Sequence, residues 1–149
     1  MTSPNKERSL LTLHGATILL LGLLAGLPAV SEELADLHPT LWRAAHGALL
    51  LAGVWLLASA ALLPTLALPQ RQRTTLTWSL LTAGYAFTAA VLIQAVTGVR
   101  ALAPHGTISS WVAYLANLTT VAAGILAALL TALGAKGALS NTQEEAGAV

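Results

Sequence analysis

Charge is missing from this chain over four long stretches. No Asp, Glu, Lys or Arg occurs between Arg8 and Glu32, between Arg43 and Arg71, between Arg73 and Arg100, or between Arg100 and Lys136. Each stretch reaches or exceeds the ~20 residues that a helix needs to cross ~30 Å of hydrocarbon. Hydrocarbon offers no hydrogen-bond partners, so a crossing segment must satisfy its own backbone, and each stretch is predicted to be helical. The expected fold is all-α, a four-transmembrane-helix bundle running up-down-up-down, with spans near 9–30, 41–63, 76–99 and 108–135. Residues 1–8 read as a polar N-terminal tail and 136–149 as a disordered C-terminal tail. Only 9% of the residues are charged. Soluble domains carry ~25%, and the four spans leave no room for one.

The charges that remain suggest an orientation. Lys6, Arg8, Arg71, Arg73 and Lys136 fall on one side of the bundle, against only Arg43 and Arg100 on the other. The positive-inside rule places the first group, and with it both termini, in the cytoplasm. Trp78 then falls at the cytoplasmic interface, with Trp42 and Trp111 at the opposite one. A cleavable signal peptide is the competing reading of the first span, because Ala29 and Ser31 are small residues at a cleavage spacing. The apolar run exceeds the ~7–15 residues of such a region, which favours a retained span. No basic stripe interleaved with aromatics points to nucleic acid, and there are no cysteines, which excludes disulfides, thiolate-ligated haem and a catalytic thiol. Gly22 with Gly26, and Gly124 with Ala128, have the small-xxx-small spacing of close helix packing.

Polar residues within a membrane are costly and therefore informative. At ~1.5 Å per residue, His46 lies about one turn inside the outer end of the second span, with Arg43 one turn above it. Gln94 lies about 8 Å inside the third span, and Tyr114 and Asn117 about 6–10 Å inside the fourth. These groups share one leaflet, the extracytoplasmic half, and are predicted to form a polar layer around a binding site. Gln94 and Asn117 have a second reading as hydrogen-bonding packing groups, Tyr114 as an interface aromatic, and Arg43 as a snorkelling anchor. His14 and the mid-span Tyr85 stand apart from this layer. His38 and His105 lie in polar turns.

His46 is the strongest candidate ligand, since a neutral imidazole inside hydrocarbon suits haem b or a metal ion. Gly47 follows it and Gly53 lies two turns on, so the two glycines are expected to leave a flat strip for a porphyrin. By depth His14 is about 20 Å from His46, too far for both to ligate one iron, so any haem would be single-histidine with an open sixth position.

The segment Leu41-Trp42-Arg43-Ala44-Ala45-His46-Gly47, together with His14-Gly15 and Gly53, resembles styrene oxide isomerase. The run from Leu19 to Leu27, with Gly22 and Gly26, is similar to the related hydroxylaminobenzene mutases. The resemblance covers about residues 9–135. It implies a trimer with haem b between subunits, His46 as axial ligand, and a ferric iron acting as Lewis acid on an epoxide oxygen. Two positions depart from the family pattern. An Asn expected six residues after the histidine is Ala52, and a Tyr expected late in the third span is Val91 or Leu92. Tyr85 is the polar group retained in the Gly84–Phe87 stretch, and Gln94, Tyr114 and Asn117 are candidates to supply the missing hydrogen bonds.

The expectation is thus a multi-pass protein of a bacterial-type inner or cell membrane, a homo-oligomer, acting as a haem-b-dependent isomerase or mutase. Its substrate would be a small apolar epoxide or hydroxylaminoarene. Cofactor-binding residues are His46, Gly47, Gly53 and Arg43, with His46 on the metal. Catalytic candidates are Gln94, Tyr114, Asn117 and Tyr85. The alternative is a non-catalytic membrane subunit or haem-binding sensor. A transporter fits least, as no intramembrane carboxylate is present to couple ions.

Overall fold

The computed structural model describes residues 4–30, 38–99, 103 and 106–147. They form four α-helices: α1 (Pro4–Val30), α2 (Pro39–Leu62), α3 (Gln70–Thr97) and α4 (Ile108–Gly147). A 3-10 turn at Leu63–Thr65 follows α2, and no strand occurs among the described residues. Each helix is long and apolar enough to cross a membrane. The acidic loop with Glu32, Glu33 and Asp36, the cleavage position at Ser31, and Arg100, Pro104 and His105 lie outside the described residues.

Three helix ends depart from the sequence reading, each because a neighbouring element holds it. Residues 4–8 of the expected N-terminal tail open α1, where Glu7 is 2% exposed. Its Oε1 accepts hydrogen bonds from Thr74 Oγ1 at 2.6 Å and Gln70 Nε2 at 3.0 Å. Those two residues belong to the extra turn of α3, which starts at Gln70 behind Pro69 rather than at residue 76. The expected disordered tail continues α4 to Gly147. Past the predicted end at residue 135, Gly137 lies against Ala67, and one turn earlier the Gly134 carbonyl accepts from the Ala67 N–H at 3.1 Å.

The helices pack as two long seams, α1 along α2 and α3 along α4; α2 meets α3 over a shorter stretch and α1 meets α3 over less. α4 makes no extended contact with α1 or α2. Leu11 and Ile18 of α1, Leu49 and Leu56 of α2, and Leu76 and Leu80 of α3 fill the centre. Lipid tails are as apolar as leucine, so such helices are held by close packing rather than by apolar transfer. Glycines close the α1–α2 seam. A Cβ on Gly53 would come within 2.7 Å of Leu19, and one on Gly22 within 2.8 Å of the Leu50 nitrogen. Gly124 has nothing within 4 Å of such an atom, so its small-residue spacing closes no seam in this chain. At the far end α3 stops at Gly98, whose φ of 70° is the left-handed cap that glycine adopts without strain.

Candidate functional site

His46 sits on α2 directly across from the glycines of α1. Its Nδ1 lies 2.8 Å from the Gly22 carbonyl oxygen. A carbonyl only accepts, so Nδ1 carries the proton and donates, and Nε2 keeps its lone pair. This is the arrangement that orients a ligating histidine, with one ring nitrogen fixed by a carbonyl and the other presented to a metal. Gly26 clears the space beside the ring, since a Cβ there would stand 2.9 Å from Nδ1. Spacing identified Gly22 and Gly26 as packing residues; that they seat the imidazole depends on the register of α1 against α2. Gly47 is exposed with open space around it, while Arg43 reaches back to the Ala29 carbonyl through Nε at 3.4 Å.

Gly53 does not belong to an open strip. It is buried against Leu19, so the expected flat surface from Gly47 to Gly53 is not formed: the α1 backbone occupies its inner end. Nor does the expected polar layer converge within one chain. Gln94 lines a hollow of about 110 Å³ with Ala44 and Ala48, on the α3-facing side of α2, and its amide donates to the Ala90 carbonyl at 3.2 Å. Tyr114 stacks edge-on with Trp111 of its own helix, at 6.4 Å between ring centres. Asn117 is half-buried on α4, a helix without extended contact to α2.

Two features went unrecognised. His14 Nδ1 and the Tyr85 hydroxyl share a hydrogen bond of 2.6 Å, joining α1 to α3 through the two groups set aside as isolated. Across α2 from the His46–α1 seam lies an apolar cavity of about 460 Å³, framed by Ala52, Trp55 and Leu51 of α2, Gly84 and Phe87 of α3, and Thr120 of α4. Its size and lining suit a small aromatic molecule. The Thr120 hydroxyl donates to the Ala116 carbonyl at 2.9 Å, so the Trp55 indole N–H is the one donor of the described lining without an acceptor.

The described residues contain no group of three or more His, Asp or Glu side chains placed to hold a bare metal ion. A porphyrin supplies four nitrogen ligands itself and needs from the protein one imidazole with a free Nε2, which His46 provides. The residues present fit haem b.

A family model described as styrene oxide isomerase matches residues 7–139. No curated protein and no solved structure matches the chain.

Proposed function

The chain belongs to the styrene oxide isomerase family, and from that membership we propose that it is a haem-b-dependent isomerase or mutase of the cell membrane acting on a small apolar oxygenated substrate. The observation that supports this reading is the 2.8 Å bond from His46 Nδ1 to the Gly22 carbonyl, which leaves the lone pair on Nε2. When bound, ferric haem supplies a Lewis acid for the oxygen of an epoxide or hydroxylaminoarene. His46 would hold that group through Nε2, and Gly47 would leave space beside it. Arg43, one turn toward the helix start, would meet a carboxylate of that group.

The remaining residues position and exclude. Ala52, Trp55 and Phe87 give an apolar berth for the hydrocarbon part of the substrate and keep water from it. Because this berth and His46 lie on different faces of α2, the complete centre joins His46 of one subunit to the cavity of the next in a homo-oligomer, a trimer by family resemblance. Gln94, Tyr85, Tyr114 and Asn117 act, on this reading, from outside the berth or from a neighbouring subunit.

An absorption spectrum of the detergent-purified protein tests the proposal. A Soret band in the wild type that is lost in His46→Ala is expected; a wild type without the band, or an unchanged band in the variant, overturns it. A second reading has its own support. With alanine at position 52 and Thr120 already bonded to Ala116, the Trp55 indole N–H is left as the one donor of the described lining without an acceptor. A haem-binding membrane module without catalysis fits that lining. Turnover of an aryl epoxide or hydroxylaminoarene by the purified protein separates the two.

A further inference from the structure

A second groove lies on the opposite side of α3, open to the surroundings of the bundle and toward the end that holds both termini. It encloses about 480 Å³ between Thr75, Trp78, Ser79 and Thr82 of α3 and the alanine wall of Ala122 and Ala123 on α4. Its lining differs in kind from the apolar cavity beside Ala52. On α3, Thr75, Thr77, Thr88 and Thr97 each donate to the carbonyl four residues back. That is how a hydroxyl is satisfied in hydrocarbon. Ser79 and Thr82 donate to no acceptor among the described residues. Trp78 is 61% exposed beside them.

Arg71 stands at the mouth. It lies one turn before Thr75 on the same face of α3, and its guanidinium has no carboxylate partner among the described residues. Glu7 is buried in the α1–α3 seam and bound to Gln70 and Thr74. From mouth to floor the groove therefore offers a cation at the membrane surface, then an indole N–H and hydroxyl donors, then a smooth apolar wall. Helical side chains lean toward the N-terminus of their helix, so the Trp78 and Ser79 donors reach back toward the level of Thr75. A phospholipid presents its groups in this order: a phosphate diester, two ester carbonyls, then acyl chains.

We propose that this groove binds one anionic phospholipid, with the phosphate on Arg71, the ester carbonyls on Trp78 and Ser79, and one acyl chain against Ala122 and Ala123. The lipid is anionic because the ammonium of a zwitterionic headgroup would compete with Arg71 for the phosphate. The site is independent of haem and of His46.

Native mass spectrometry of the full chain, delipidated and titrated with phosphatidylglycerol or phosphatidylcholine of matched chains, tests this. The wild type is expected to retain a single phosphatidylglycerol about fivefold better than phosphatidylcholine, the scale of one basic residue at a membrane surface. Arg71→Gln, an exposed position whose side chain makes no hydrogen bond among the described residues, is expected to equalise the two lipids. Ala123→Phe is expected to reduce retention of both by filling the acyl berth. Circular dichroism of both variants is expected to match the wild type. Equal retention of the two lipids by the wild type, or an unchanged preference in Arg71→Gln, overturns the proposal. Displacement of the lipid by glycerol 3-phosphate alone overturns it in favour of a free anion site. A change of subunit number in Ala123→Phe with lipid retention intact overturns it in favour of a second copy of the chain in the groove.

Discussion

His14 and His46 make an instructive pair. Each is an imidazole on a membrane-spanning helix, each is followed by glycine, and each engages a neighbouring helix through Nδ1. The partners differ in what they permit. The Gly22 carbonyl accepts only, so His46 has one tautomer and a free lone pair on Nε2. The Tyr85 hydroxyl both donates and accepts, so His14 remains free to adopt either tautomer. The glycines differ in the same sense. A Cβ on Gly15 would press on Leu56 and Leu57 at 3.1 Å, whereas Gly47 opens onto empty space. One His-Gly pair meets its neighbouring helix through a hydroxyl and a filled seam, the other through a backbone carbonyl and beside open space.

The largest effect expected from breaking this comparison is on haem itself. His46→Ala should lose the Soret band entirely, while His14→Ala should keep it at wild-type intensity per folded protein. Loss of the band in both would mean that His14 also serves the haem. The glycines give the next test. Gly15→Val should destabilise the α1–α2 seam by about 1–3 kcal/mol, the usual cost of overpacking, read as a lower midpoint of thermal unfolding in detergent. Gly47→Leu should change that midpoint little, since surface substitutions stay within about 0.5 kcal/mol. Yet, if haem binds beside Gly47 as proposed, it should lower haem occupancy severalfold, because the added side chain would fill the open space there. A Gly47→Leu protein with full haem content would show that the ligand arrives from another direction. Gly26→Ala is a smaller perturbation. Its methyl meets Nδ1 at 2.9 Å, so the ring must give by a few tenths of an ångström. A shifted Soret maximum with most of the haem retained is the expected outcome, and an unchanged maximum would mean that the ring is not held against α1.

Much of this was legible in the chain because lipid imposes few solutions. Four charge-free stretches each had to carry a helix, and each does. The helix ends were not legible, because contacts between elements set them: Glu7 finds Thr74 and Gln70, and Gly137 finds Ala67. The site shows the same division. Residue type and depth made His46 a candidate. They could not show that Gly22 orients it, which depends on how α1 is rotated against α2. The same missing coordinate explains the polar layer that does not assemble. Counting 1.5 Å per residue fixes how deep Gln94, Tyr114 and Asn117 lie, but not which way around its axis each helix turns. Gly53 failed for a related reason: a position seven residues from His46 shares its face, but that face is covered by α1.

The smallest effect belongs to the bond that holds His14. Tyr85→Phe keeps the ring and its edge-on contact with His14, 5.5 Å between centres, and removes only the hydroxyl. Hydrogen bonds between membrane helices contribute about 0.6 kcal/mol on average, because the separated helices also find partners. A drop of that order in unfolding free energy, with haem content and turnover unchanged, is what a purely structural α1–α3 tie predicts. Tyr85 is 40% exposed, however, and in an oligomer its hydroxyl can face a neighbouring subunit. If Tyr85→Phe left stability intact but cut turnover tenfold or more, the His14–Tyr85 pair would have to be moved from the scaffold to the reacting centre of an adjacent copy, and the contrast between the two histidines would become one of division of labour.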